Sequence, residues 1–83
     1  MRRSWLKCQV LKGMFSDERT VIVRRKDNGT IEFIVSETFV NDTDPDAGKV
    51  EVTVIERGGQ KWAVLPTSYR ESIPVDDSEL VPT

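Results

Sequence analysis

Eighty-three residues, 37% hydrophobic and 31% charged with a net charge of -2, suffice for one small soluble domain spanning 1–83, which buries roughly 60–65% of its unfolded surface. The chain has no histidine and one cysteine, Cys8, which excludes an internal disulfide, a multi-cysteine metal site and every histidine-dependent triad. The charge balance argues against a general nucleic-acid binder, and no apolar run is long enough to span a membrane.

The chain opens with Arg2-Arg3-Ser4-Trp5-Leu6-Lys7, which resembles a twin-arginine export signature. Gln9, Lys12, Asp17 and Glu18 then break the apolar stretch that an export signal needs. A cytoplasmic protein is therefore expected, in which the acceptor patterns Asn28-Gly29-Thr30 and Asn41-Asp42-Thr43 go unused. Trp5 to Leu11 reads as the first strand, with Leu6, Cys8 and Val10 on one face. Cys8 in that alternation is a small buried hydrophobe rather than a nucleophile. Met14 and Phe15, in the loop from Lys12 to Glu18, are expected to cap the open end of the core.

Arg19–Arg25 and Thr30–Val35 form a second hairpin. A three-residue loop closed by a left-handed Gly29 would set Val23 opposite Phe33, Val21 opposite Val35, Ile22 opposite Ile34 and Arg24 opposite Glu32. Ser36 to Val40 reads as one helical turn with Ser36 as N-cap and Phe39 returning to the core. Asn41 to Gly48 is a polar loop. Asp42, Asp44 and Asp46 alternate there as in a calcium loop. However, the sixth and twelfth positions that such a loop needs as Gly and Glu hold Ala47 and Thr53, so no metal is expected.

Lys49 to Leu65 carries the clearest signal. Val50, Val52 and Val54 alternate with Glu51, Thr53 and Ile55, and Gly58-Gly59 supplies a tight two-residue turn. The register follows: Val54 faces Ala63, Ile55 faces Trp62 and Thr53 faces Val64. Both faces are apolar near the turn, so the second needs a cover. Beyond it, Ser72–Val75 is a short edge strand marked by Pro74, and Asp76–Val81 is a second acid-capped turn. The form of 73–81 echoes that of 34–40, an echo that would make the chain two three-stranded halves of a pseudo-symmetric barrel.

Leu65-Pro66-Thr67-Ser68-Tyr69 resembles the closing segment of eukaryotic-type SH3 domains, where a hydrophobic residue, Pro, two small polar residues and Tyr help to form a proline-peptide groove. The resemblance covers five residues and implies a small SH3-like barrel. The aromatic-rich first loop and paired tryptophans of that family are absent.

The expected fold is all-β: a small antiparallel barrel or rolled sheet of five to six strands, SH3-like, with an OB-type barrel as the alternative. The expected function is non-catalytic, that of a small interaction module or accessory subunit with no cofactor. Glycine-rich phosphate loops and acid–base carboxylate spacings are lacking. Ile22, Ile34, Ile55, Trp62 and Val64, with Trp5 nearby, would form one apolar face for a protein partner or a second copy, provided the two hairpins share a sheet. The competing reading has Trp5, Met14, Phe15 and Tyr69 fold over that face and make it core. The alternative function is a nucleic-acid-associated protein using Arg2, Arg3, Lys7, Arg24, Arg25 and Lys26. Residues 1–26 hold eight basic and two acidic side chains (net +6), and residues 27–83 hold four basic and twelve acidic (net -8). Antiparallel pairing of the two halves would account for the same asymmetry.

Overall fold

A computed structural model of the protein describes residues 2–25, 29–41 and 48–82. Among these the structure is all-β. Its strands are β1 (Arg2–Lys7), β2 (Gln9–Lys12), β3 (Glu18–Arg24), β4 (Thr30–Ser36), β5 (Val40–Asn41), β6 (Lys49–Arg57), β7 (Gln60–Val64), β8 (Ser72–Val75) and β9 (Leu80–Pro82). They form two antiparallel sheets rather than one closed ring. The larger runs β8-β7-β6-β1-β9, with β5 also on β6, and the smaller runs β2-β3-β4.

The expected first strand is divided at Cys8. There the chain leaves one sheet for the other, and Cys8 N–H donates to Gly48 O at 2.9 Å. Side-chain alternation continues through this bend, with Leu6 fully buried and Cys8 and Val10 half-buried. The core lies between the inner faces of the sheets. Leu6, Val50, Val52, Val54, Ala63, Leu65, Ile73 and Val75 come from the larger sheet and its margin, and Val21, Val23 and Val35 from the smaller. One row across the larger sheet, Val40–Val50–Leu6–Leu80, has Val50 and Leu6 fully buried between the half-buried Val40 and Leu80. Ser4 is the buried polar residue of this face, and its hydroxyl donates to Val81 O at 3.0 Å.

The β6–β7 hairpin has the expected register, with Thr53, Val54 and Ile55 opposite Val64, Ala63 and Trp62. Gly58 and Gly59 take φ of 59° and 79°, the two left-handed residues that such a turn demands. The β3–β4 register differs from the expectation by two residues. Val23 faces Ile31, Val21 faces Phe33, Ile22 faces Glu32, Thr20 faces Ile34 and Arg24 faces Thr30. The reason is the turn: Arg25 N–H meets Gly29 O at 2.8 Å, so Gly29 already belongs to the returning arm. A slip of two leaves every side chain on its face. Residues 26–28, and with them the test of a left-handed Gly29, lie outside the described residues. So does the 42–47 loop with its three aspartates.

Two one-turn helices, Glu37–Phe39 and Asp77–Glu79, have the expected caps. The Ser36 hydroxyl accepts from Thr38 N–H, and Glu79 Oε1 returns to Asp76 N–H at 2.9 Å. The second helix leads into β9, a strand the sequence reading did not separate. The echo between 34–40 and 73–81 is thus structural: each half is a three-stranded meander, a capped turn and a short strand. Moreover, the short strands are exchanged. β5 of the first half pairs with β6, and β9 of the second pairs with β1.

Candidate interaction surfaces

Odd-numbered residues of β1 and β6 point away from the core, so the outer face of the larger sheet is built from strand register alone. One row reads Pro74–Trp62–Ile55, the next Ser72–Val64–Thr53–Arg3, and a third Glu51–Trp5–Val81. Ile55, Trp62, Val64, Thr53 and Trp5 are all half-buried, as side chains lying side by side on a single layer should be. Trp62 and Ile55 border a shallow depression of about 570 Å³ completed by Arg57, Gly58, Gln60 and Ser72. The rim is polar and fixed. Gln60 Nε2 donates to Lys61 O at 2.9 Å and to Val75 O at 3.2 Å, Arg3 pairs with Glu51 at 3.6 Å, and Lys61 pairs with Asp77. Lys61 is also the main reason the exposed Asp77 carboxyl is held below its ordinary pKa, with Arg2 adding a smaller part.

Four of the six expected partner-binding residues, Trp5, Ile55, Trp62 and Val64, therefore share this face. Trp5 lies two strands from Trp62. The other two do not join it. Ile22 and Ile34 lie on the outer face of the smaller sheet, where Ile22 is half-buried and Ile34 is 59% exposed. The two hairpins belong to different sheets, so the single apolar face expected from their combination is two separate ones.

The expected cover is not there either. Met14, Phe15 and Tyr69 are 87%, 64% and 94% exposed. Met14 and Phe15 stand at the tip of the β2–β3 connection, away from the core they were expected to cap. That tip is held in place by Arg19, whose Nη1 donates to Ser16 O and Glu18 O at 2.9 and 2.8 Å. Phe39, expected in the core, is 41% exposed, and Val40 packs against the core in its place.

The basic set is dispersed. Arg2 and Arg3 alternate across β1, Arg3 is tied to Glu51, and Lys7 sits beside Lys49. Arg24 ends β3 in the other sheet, Arg25 follows it, and Lys26 lies outside the described residues. Nothing in this placement gathers the five described ones into one phosphate-binding stripe.

Burial pushes the Cys8 thiol up to about 12, which keeps it protonated at neutral pH and unsuited to nucleophilic chemistry. No group of three or more metal-ligating side chains occurs among the described residues, and no helix among them is long and apolar enough to cross a membrane.

Sequence reasoning missed a groove of about 600 Å³ between β4 and the β7–β8 loop, lined by Ile31 to Ile34 and by Pro66 to Tyr69 with Glu71. The Pro66–Tyr69 signal was visible, but its position beside β4 depends on how the sheets meet. Comparison with protein-family models, with curated proteins and with solved structures gives no match.

Proposed function

We propose that the protein is a non-catalytic interaction module that docks an apolar protein surface on the outer face of its larger sheet, with Trp62 as the anchor. One observation carries the reading. Trp62, Ile55 and Val64 form an apolar centre inside a polar rim; of the side chains expected to close over them, Met14, Phe15 and Tyr69 stand in solvent and Trp5 lies half-buried in the face itself. Half-buried tryptophan within a ring of charged and amide groups is the composition of an interface centre rather than of a second core. An SH3-like arrangement belongs to the same proposal, supported by the position of Pro66 and Tyr69 along a groove.

The test is Trp62→Ala alongside Val64→Ser, followed by thermal melts and sedimentation. Truncating a tryptophan enclosed in a core costs about 3–5 kcal/mol, enough to unfold most domains of this size. On a single-layer face the loss should be about 1–2 kcal/mol, because only one side of the ring is packed. Folded variants whose melting falls by no more than that loss support a docking face. Unfolded variants of a monomeric wild type would show the face to be structural and end the proposal.

A further inference from the structure

Sheet edges are where strands recruit further strands, and natural proteins blunt them with short lengths, proline or charge. Most edges here are blunted in this way. β8 has four residues and contains Pro74, β9 has three and ends in Pro82, and β5 has two. β4 is different. It runs seven residues, Thr-Ile-Glu-Phe-Ile-Val-Ser, without proline or lysine, and pairs on one side only, with β3, among the described residues.

Arg25 N–H bonds Gly29 O and Glu37 N–H bonds Asp17 O, each at 2.8 Å, and these two contacts bracket the β3–β4 ladder in its own register. Antiparallel pairs alternate between bonded and non-bonded residues. Ile31, Phe33 and Val35 therefore exchange bonds with β3, while Thr30, Glu32 and Ile34 turn their N–H and C=O groups outward. They turn toward the groove walled on its far side by Pro66, Tyr69 and Glu71. Two carboxylates, Glu32 and Glu71, line this groove and no cationic side chain does. Among the described residues neither carboxylate is in a salt bridge.

We propose that the free edge of β4 receives an extended basic peptide from another protein as an added strand. Main-chain bonds to Glu32 and Ile34 supply the pairing. Alternate apolar side chains of the peptide pack toward Phe33, and its cations meet Glu32 and Glu71. The wall formed by the β7–β8 loop favours a single strand over the edge of a whole second domain. This surface is separate from the Trp62 face, and the inference stands whether or not that face binds.

The probe is a fluorescein-labelled heptapeptide alternating lysine and valine, compared by anisotropy with its glutamate–valine counterpart and with a peptide of residues 30–36. The lysine peptide should bind at least about tenfold more tightly than the glutamate one, a difference of charge complementarity. Hydrogen exchange of the whole protein should show the Glu32 and Ile34 amides open when free and protected when bound, with Ile31, Phe33 and Val35 protected throughout. Ile34→Pro removes an outward N–H and leaves the β3 ladder intact, and Glu71→Lys changes only the loop wall. Each should weaken the lysine peptide about tenfold without unfolding the protein. Equal binding of the two charged peptides, or unchanged exchange at Glu32 and Ile34, overturns the proposal. Protection of those amides by concentration-dependent self-association, without any peptide, also overturns it and makes the edge an interface between copies.

Discussion

Raising the pH from about 8 to about 11 should destabilise the wild-type protein more than a Cys8→Ala variant. Cys8 sits at the bend between β1 and β2, half-buried against the core, with its N–H held by Gly48 O. Burial raises its thiol from 9.0 to about 12. A group whose pKa is higher in the folded state holds its proton there after the unfolded chain has released it. The stability this gives is complete below the unfolded value and is lost as the pH rises through the folded one. By about pH 11 the loss is about 2.7 kcal/mol at full value, and roughly half of that after allowance for solvent reaching a partly exposed site. Every other side chain is common to the two proteins and cancels in the comparison. Urea melts of both proteins at both pH values should show the stability gap between them narrowing by about 1–2.5 kcal/mol. A gap that does not change with pH would mean that the thiol ionises as freely in the fold as in the open chain, and would refute the reasoning. A thiol reagent gives an independent reading. At about pH 8, labelling of the folded protein should be about 30- to 10³-fold slower than in urea, because the thiolate is that much scarcer.

Two glycines separate contact from strain. A Cβ on Gly48 would lie 2.9 Å from Val10 Cγ2 and 3.0 Å from Cys8 O, so Gly48→Ala should lower stability by about 1–3 kcal/mol through crowding. A Cβ on Gly58 meets nothing within 4 Å, so Gly58→Val should cost about 1–2 kcal/mol from its left-handed φ alone, and Gly58→Asn much less. Similar melting of the two Gly58 variants would contradict the strain argument. Lys61→Ala should return the Asp77 carboxyl toward the ordinary range in an NMR titration. Because the wild-type carboxyl is held low, the pair stabilises at neutral pH and loses its effect as the pH falls. An unmoved Asp77 midpoint would remove Lys61 as the cause.

What could be read from the sequence was whatever local chemistry dictates. Val50, Val52 and Val54 alternate, Gly58-Gly59 allows one tight turn, and the β6–β7 register follows without knowledge of the remainder. Ser36 and Asp76 announce their one-turn helices because capping involves only neighbours. The β3–β4 register was not legible to the same degree. Sliding β4 by two residues keeps Ile31, Phe33 and Val35 facing inward, so hydrophobic pattern cannot choose between the two pairings, and the residues between Arg25 and Gly29 permit both. The bend at Cys8 was invisible because alternation continues through it. The division of the apolar surface was hidden for a different reason: that Trp62 and Ile34 face outward can be read along each strand, but that they belong to different sheets depends on pairings far apart in the chain. Met14, Phe15, Phe39 and Tyr69 show the limit of treating large apolar side chains in loops as cover for a core.

The exchanged short strands bear on how the chain reaches this structure. Leu6 lies on a central strand, yet its neighbours Val50 and Leu80 follow it by 44 and 74 residues. As the chain grows from its N-terminus, β1 waits without either partner, and the row through Leu6 closes only when β9 arrives. Local meanders such as β2-β3-β4 can form early, but loop-closure entropy must be overcome across nearly the whole chain before Ser4 finds Val81. Folding of this small protein should accordingly lie toward the slow, milliseconds-to-seconds end for its size, and deleting residues 80–82 should slow it further by withdrawing the strand that completes β1.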